Sequence, residues 1–300
     1  MKKFLAFGCL VLGILAQAQI NRFFYEYKFI PDSNNKEDVK NEMMYLDIDQ
    51  KGSTYYSRDK FVSDSLTNVE IQKQLKAFSG NMNVNRKEKQ GQVSYKVTKT
   101  YPDFTTYLFR NISSDRYKIK EGEKPEWKIL SDRQKIGEYN TQKATTSFGG
   151  REWVAWFSTD IPFQDGPYKF YGLPGLIVKI EDATGSHTMT LVGNKKIAEV
   201  SASDKEPELP QNIRVFGMGG KELEVTESQF RKVWKDYVND PTKNMRQMMG
   251  GSGDVKVSFK FKDPSGKEVS DPNEVMRAME KNTKERLAKD NNPIEPDLVK

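Results

Sequence analysis

Residues 255–262 place Val255, Val257, Phe259 and Phe261 at every second position, interleaved with Lys256, Ser258, Lys260 and Lys262. Successive side chains of a strand point to opposite faces, so this spacing gives one apolar face and one wet face. A helix would spread the same residues around its circumference. The alternation recurs along the chain. Phe23, Tyr25, Tyr27 and Phe29 share one face of 21–30, and Met44, Leu46 and Ile48 alternate with Tyr45 and Asp47. Val93, Tyr95 and Val97 alternate with Ser94 and Lys96; Tyr107 and Phe109 alternate with Thr106 and Leu108; Met189 and Leu191 alternate with Thr188 and Thr190. Turn signals such as Gln50-Lys51-Gly52 separate neighbouring runs. Strands this close in sequence, each with one solvated face, pair antiparallel. The expected fold class is mainly β (α+β): a curved antiparallel sheet or half-barrel packed by one or two helices.

Helical spacing is confined to short stretches. Ile71, Leu75 and Phe78 recur at i, i+4 and i+7, with Gly80 as a stop. Thr226-Glu227-Ser228-Gln229 is a capping box. It opens a helix over 227–238 whose apolar stripe is Phe230, Val233, Trp234 and Tyr237, and Asp240-Pro241 ends it. This helix is expected to cover the concave or open face of the sheet. Asp271-Pro272-Asn273-Glu274 starts another. From Lys281 onward the chain is charged and poor in apolar residues, so 291–300 read as a disordered tail.

The first 18 residues carry no acid. Lys2 and Lys3 precede an apolar run over 4–15, and Ala16-Gln17-Ala18 supplies a small-x-small cleavage signal. That is the pattern of a secretory signal peptide, with the mature chain starting at Gln19. The run is shorter than the roughly 20 residues of a membrane span, and nothing after Ala18 approaches one. The only cysteine, Cys9, lies inside the leader and away from the cleavage point, so neither a lipid anchor nor a disulfide is expected. The organisation is therefore a signal peptide over 1–18, a single domain over 19–290 and the tail. The expected location is the periplasm, the outer-membrane periphery or the medium. The formal charge of +6 falls to +4 without Lys2 and Lys3, and the basic residues alternate with acids. That balance argues against nucleic acid as a partner.

The most distinctive stretch is GGREWVAWFSTDIPFQDGPYKFYGLPGLIVKIED, residues 149–182. Trp153, Ala155 and Phe157 share one face of a strand while Val154 and Trp156 share the other, which reads as a strand buried on both sides. Gln164-Asp165-Gly166-Pro167 is one turn and Gly172-Leu173-Pro174-Gly175 a second, with Pro174 presetting φ and Gly175 taking φ > 0. This stretch resembles the GLPGLI family, named after the hexapeptide standing at 172–177. The resemblance is carried further by Lys143-Ala144, Gly150-Arg151, Trp153, Ala155-Trp156, Asp160-Ile161-Pro162 and Gly166-Pro167, and it covers about 23–197. It implies an exported protein of Bacteroidota and brings no established activity with it. Many members have a cysteine where Thr141 stands, so a redox role suggested by relatives does not transfer. Trp153, Gly166, Pro167, Gly172, Pro174 and Gly175 are read as structural.

Few residues offer chemistry. His187 is the only histidine, and zinc wants several His or Cys ligands, so no metal and no cofactor is expected. Ser186 and Thr188 beside it form no G-x-S-x-G elbow, and no catalytic residue is assigned. Asp160 and Asp165 either act together as acid and base on a glycosidic bond or build the turns around Ile161-Pro162 and Gly166. Arg151 either clamps a ligand anion bidentately or fixes the fold by pairing with Asp160 or stacking on Trp153. Gly149-Gly150 and Gly250-Gly251-Ser252-Gly253 lack the Gly-Lys-Ser/Thr of a phosphate loop. Met245, Met248 and Met249, with Met218 nearby, either fill core gaps or line an adaptable binding surface. Asp64-Ser65-Leu66 is similar to a short O-glycosylation site, or simply caps the helix through Phe78. Arg151, Trp156, Met245, Met248 and Met249 are the binding candidates. The expected function is that of a non-enzymatic binding or envelope-maintenance protein holding an apolar or peptide-like ligand, or partnering an envelope protein. The alternative is a carboxylate-dependent hydrolase of envelope glycans.

Overall fold

Strand β1 (Gln19–Phe29) shows how the alternation is used. Phe23, Tyr25 and Tyr27 are buried, while Phe24 and Glu26 face the other way and are half-exposed. The structure is a computed structural model, and it describes residues 19–76, 91–113, 115–198, 222–244, 246, 261–262, 268–269 and 271–299. After β1 come β2 (Lys40–Ile48), β3 (Gly52–Ser57), β4 (Lys96–Thr100), β5 (Thr105–Ile112) and β6 (Asp115–Lys120). There follow β7 (Lys128–Ile136), β8 (Tyr139–Phe148), β9 (Arg151–Ser158), β10 (Leu176–Asp182), β11 (His187–Ala198) and β12 (Glu222–Thr226). These twelve form one sheet in the order β12-β6-β5-β4-β3-β2-β1-β11-β10-β9-β8-β7. A separate pair joins β13 (Phe261–Lys262) to β14 (Glu268–Val269).

The protein is mainly β, as the alternation implies, but the sheet is open and mixed. All neighbours pair antiparallel except β12, which runs parallel to β6. That pairing makes the open sheet mixed, where a curved, mainly antiparallel sheet or half-barrel was expected. A parallel neighbour needs a long crossover, and β12 follows β6 only after five intervening strands. No local pattern around 222–226 reports it.

Cross-strand neighbours propagate the buried face. Tyr25 pairs with Met44 and Leu191, Leu46 with Tyr55, Tyr55 with Val97, Val97 with Leu108, and Leu108 with Ile119. All are buried, each contributing roughly 1.5–3 kcal/mol of apolar burial. This inner face is covered by three segments. The connection between β9 and β10, residues 159–175, sets Phe170 edge-on against Trp153 at 4.8 Å and Tyr168 edge-on against Tyr95 at 5.3 Å. Helix α2 (Glu227–Asn239) buries Phe230 against Tyr117 of β6. Its N-cap is Thr226, with both bonds of the capping box formed.

The third cover is the C-terminal segment, and here the expectation of disorder is overturned. Ile294 and Leu298 are buried, the latter in a short helix over Pro296–Val299. Arg151 Nη2 donates to Asn292 Oδ1 at 2.6 Å and to the Pro293 carbonyl at 2.7 Å. The segment is polar in composition, but its few apolar residues reach the core and its polar ones find partners. Composition counts residues without weighing where they dock.

The remaining helices are α1 (Arg58–Lys76) and α3 (Pro272–Lys289), and we number the Pro296–Val299 helix α4. In α3 the cap at Asp271 accepts from the backbone of Asn273 and Glu274. Helix α1 begins well before the apolar spacing that announced it, so Asp64 and Ser65 lie inside it and do not cap it. Strand β9 is also corrected: Val154 and Trp156 are half-exposed, so only its Trp153 face is buried. The leader, Phe78, Gly80 and most of the alternating run at 255–262 lie outside the described residues. Among the described residues no helix is long and apolar enough to cross a membrane.

Candidate functional site

A concavity lies on the opposite face of the sheet, beside α1, which packs on β2 and β3. It is a groove of about 820 Å³. Its floor is set by register. Tyr45 lies opposite Tyr56, Tyr56 opposite Lys96, and Lys96 opposite Phe109, so these four form one row across four strands. The next row runs Arg22, Asp47, Thr54, Thr98. Helix α1 contributes Lys60, Phe61, Asp64, Ser65 and Asn68.

One end of the groove is a rigid polar knot. Arg22 Nε and Nη2 donate to the two Asp47 oxygens, each at 2.7 Å, in the bidentate geometry that suits guanidinium and carboxylate. Tyr56 OH donates to Asp47 Oδ2 at 2.7 Å and accepts from Arg22 Nη2 at 2.8 Å. The guanidinium sits 4.5 Å from the Tyr45 ring centre. Burial works against the Arg22 charge, but Asp47 outweighs it and the pKa is raised. Burial and the neighbouring Asp47 push the Tyr56 hydroxyl well up. Two further cations of the groove have carboxylate partners, Lys60 with Asp64 at 2.5 Å and Arg116 with Glu222 at 4.0 Å, and Lys51 also lines it. Lys96 Nζ sits 4.5 Å over the Phe109 ring.

The residues singled out in the sequence fall elsewhere. Trp153 is buried on the inner face, its Nε1 donating to the Phe148 carbonyl at 3.0 Å. Trp156 is on the other face of β9, within 5.9 Å of Lys143 Nζ. Arg151 has its structural role, with a partner other than those expected: it pairs with Asp182 at 2.9 Å and holds the C-terminal segment. Its side chain is 8% exposed, too closed for an outside anion. Asp160 is exposed, whereas Asp165 is buried against Lys99. Met245, Met248, Met249 and Met218 lie outside the described residues.

In the motif the glycine assignments change. Gly172 takes the positive φ, +93°, with open space around it. Gly175 does not; a Cβ there would stand 2.1 Å from the Ser158 carbonyl oxygen. Gly166 is needed because a Cβ would meet Ile177 Cδ1 at 2.7 Å. The hexapeptide is thus a place where two backbones touch. Pro167 is buried with Gly166, and Pro174 is exposed in the turn.

Two buried titratable groups sit beneath the covers. His187 accepts at Nδ1 from Tyr27 OH at 2.7 Å and donates from Nε2 to the Asn292 carbonyl at 3.1 Å, the tautomer that satisfies both. Burial, then the nearby Arg151 charge, pushes its pKa down to about 4. Lys169 is ion-paired with both Glu121 and Glu295. Burial opposes its charge, yet Glu295 and Glu121 raise its pKa. Glu227, at the start of α2, is hydrogen-bonded to Glu121; burial and that neighbour push it up to about 7. The two carboxyls touch, unlike a glycosidase pair held about 5 Å or more apart. Among the described residues no group of three or more His, Cys, Asp or Glu is placed to hold a metal.

The groove was missed because its residues look like the wet side of ordinary strands. A signal was present in the doublets Tyr55-Tyr56 and Leu108-Phe109, where large apolar groups fall on both parities. Such a strand has something to cover on each face.

A family described as "Protein of unknown function (Porph_ging)" matches residues 150–179. No curated protein matches the chain. Among solved structures, PNGF-II in space group P21 is 15% identical, with a TM-score of 0.45, over 72% of this chain and 33% of that one. PNGF-II in space group C2 is 16% identical, with a TM-score of 0.46, over 73% and 33%. The chain therefore spans about a third of the structures it matches, and the family match covers the β9–β10 region alone.

Proposed function

We propose that this chain is an exported, non-enzymatic binding protein of the cell envelope, of the GLPGLI type, whose ligand lies in the groove between α1 and the sheet. The observation that carries the reading is the groove itself: about 820 Å³, within the range of small-molecule sites, with half-exposed rings and polar groups held in register. The inner face, where an apolar ligand was expected, is occupied by Phe170, Tyr168, Phe230, Ile294 and Leu298 of the chain itself, and the cavity beneath the C-terminal segment is about 120 Å³. Binding is favoured over hydrolysis because Asp165, half of the carboxylate pair considered, is taken up by Lys99. Export rests on the leader pattern and predicts a mature N-terminus at Gln19.

The test is native mass spectrometry of protein purified from its own envelope, alongside Thr98→Trp, which fills the floor of the groove. A co-purified molecule lost from the variant, at unchanged melting temperature, is the expected result. Retention of the molecule by the variant, or turnover of an envelope glycan, would overturn the reading.

A further inference from the structure

We infer that the groove takes a neutral, polyhydroxylated ligand, an oligosaccharide, lying across the strands along the Tyr56–Phe109 row; this rests on the groove being the binding site. Three features of the floor select that chemistry. The first is its charge. Arg22 is forked onto Asp47, Lys60 onto Asp64, and Arg116 lies beside Glu222. An anion at Arg22 would have to displace Asp47, leaving that largely buried carboxylate without its partner at considerable cost, whereas the exposed Lys60–Asp64 and Arg116–Glu222 pairs resist it little. The second is the mixture of groups. The rings of Tyr56, packed against Phe61 at 5.4 Å, and of Phe109, beneath Lys96, stand one row away from the hydroxyls of Thr54 and Thr98, which make no side-chain hydrogen bond among the described residues. An acyl chain would leave those hydroxyls unpaired. A pyranose has what the floor wants: a face of C–H groups for the rings and a rim of hydroxyls for Thr54, Thr98 and Asn68.

The third is position. An extended peptide gains affinity mostly by adding a strand at a free sheet edge. The floor is made by β3, β4 and β5, interior strands paired on both sides, so no backbone ladder is open to it. Recognition there must run through side chains, and the row crosses the strands at their spacing of about 4.8 Å. That gives a ladder of equally spaced contacts, suited to a ligand with a repeat. Lys96 covers the Phe109 ring at 4.5 Å, so the ligand displaces its flexible ammonium from the ring.

The experiment titrates the mature protein with chitotetraose, maltotetraose, a tetragalacturonate and a Gly-Ser peptide, by calorimetry at about 0.05 and 0.5 M salt. A neutral tetrasaccharide should bind with an affinity changing less than about twofold between the two salts. Phe109→Ala and Thr98→Val should each weaken it about tenfold, and Lys96→Ala should not weaken it, all with unchanged melting. Salt-dependent preference for the galacturonate, weakened by Lys96→Ala, would overturn the neutral class and leave the groove reading standing; so would binding of the peptide alone. Saccharide binding indifferent to Phe109→Ala and Thr98→Val would overturn this site for it. Failure of every probe would overturn the saccharide assignment, and the loss or retention of a co-purified molecule in Thr98→Trp then judges the groove by itself.

Discussion

Lys99 Nζ lies 2.5 Å from Asp165 Oδ1, and neither side chain is exposed at all. Lys99 comes from β4 and Asp165 from the connection between β9 and β10, so the pair ties the motif region to strands far along the sheet. Lys99 also donates to the carbonyls of Gly166, Tyr168 and Phe170 at 2.7, 3.0 and 3.2 Å, and Tyr101 OH donates to Asp165 Oδ2 at 2.5 Å. Burial pushes the Lys99 pKa down, and Asp165 offsets only part of that. Lys99→Met should remove about 3–5 kcal/mol of stability, because it leaves a buried carboxylate and three carbonyls without their donor. Urea unfolding measures this; a variant as stable as the parent would show the pair to be dispensable.

The two motif glycines should respond differently. Gly175→Ala places a methyl on the Ser158 backbone and should cost about 1–3 kcal/mol by overpacking, with a shift in the β9–β10 pairing. Gly172→Ala meets nothing in space but keeps φ at +93°, at a strain cost of about 1–3 kcal/mol with the surrounding pairing intact. Amide hydrogen exchange across 151–158 and 176–182 separates them. Equal protection losses in both variants would contradict the contact assigned to Gly175.

His187 predicts an acid slope. A base whose folded pKa is depressed stabilises the fold above its unfolded value, and that contribution is lost as pH falls through the folded value. For His187 the window runs from 6.5 down to about 4. His187→Phe keeps a ring beside Tyr27 and Trp153 but loses the bond to Asn292, so it should cost about 1–3 kcal/mol at neutral pH. Its melting temperature should fall less steeply than the parent's in that window. Parallel curves would place the acid sensitivity elsewhere.

Glu227 predicts the opposite sign. An acid whose folded pKa is raised binds its proton more tightly in the native state, so its contribution is full below 4.5 and is lost as pH rises through about 7. The facing charges are Glu121, Lys169, Glu295 and Arg231, with Glu121 held low against its own burial by the Glu227 hydrogen bond and Lys169. Glu227→Gln removes the titrating proton and keeps a hydrogen-bond donor for Glu121. Thermal melts between pH 5 and 7 should be flatter for this variant. An unchanged slope would mean that Glu121 and Glu227 do not share the proton.

Local properties of the chain determined a good deal. The parity of Phe23, Tyr25 and Tyr27 placed them inward because a strand has period two, and Thr226 and Gln229 announced the start of α2 because a capping box needs only four consecutive residues. Asp271 and Pro272 did the same for α3. Strand neighbours were beyond such reasoning, since pairing is a choice among distant segments. Only the assembled sheet sets β12 parallel to β6, folds Ile294 and Leu298 under it, and brings Lys99 to Asp165. The groove belongs to the same class. Tyr56, Lys96 and Phe109 are unremarkable solvent-side residues on three separate strands, and they become one row only when hydrogen bonding puts β3, β4 and β5 in register. Sequence periodicity decides which way a side chain faces, whereas the long-range pairing of backbone groups decides what it faces with.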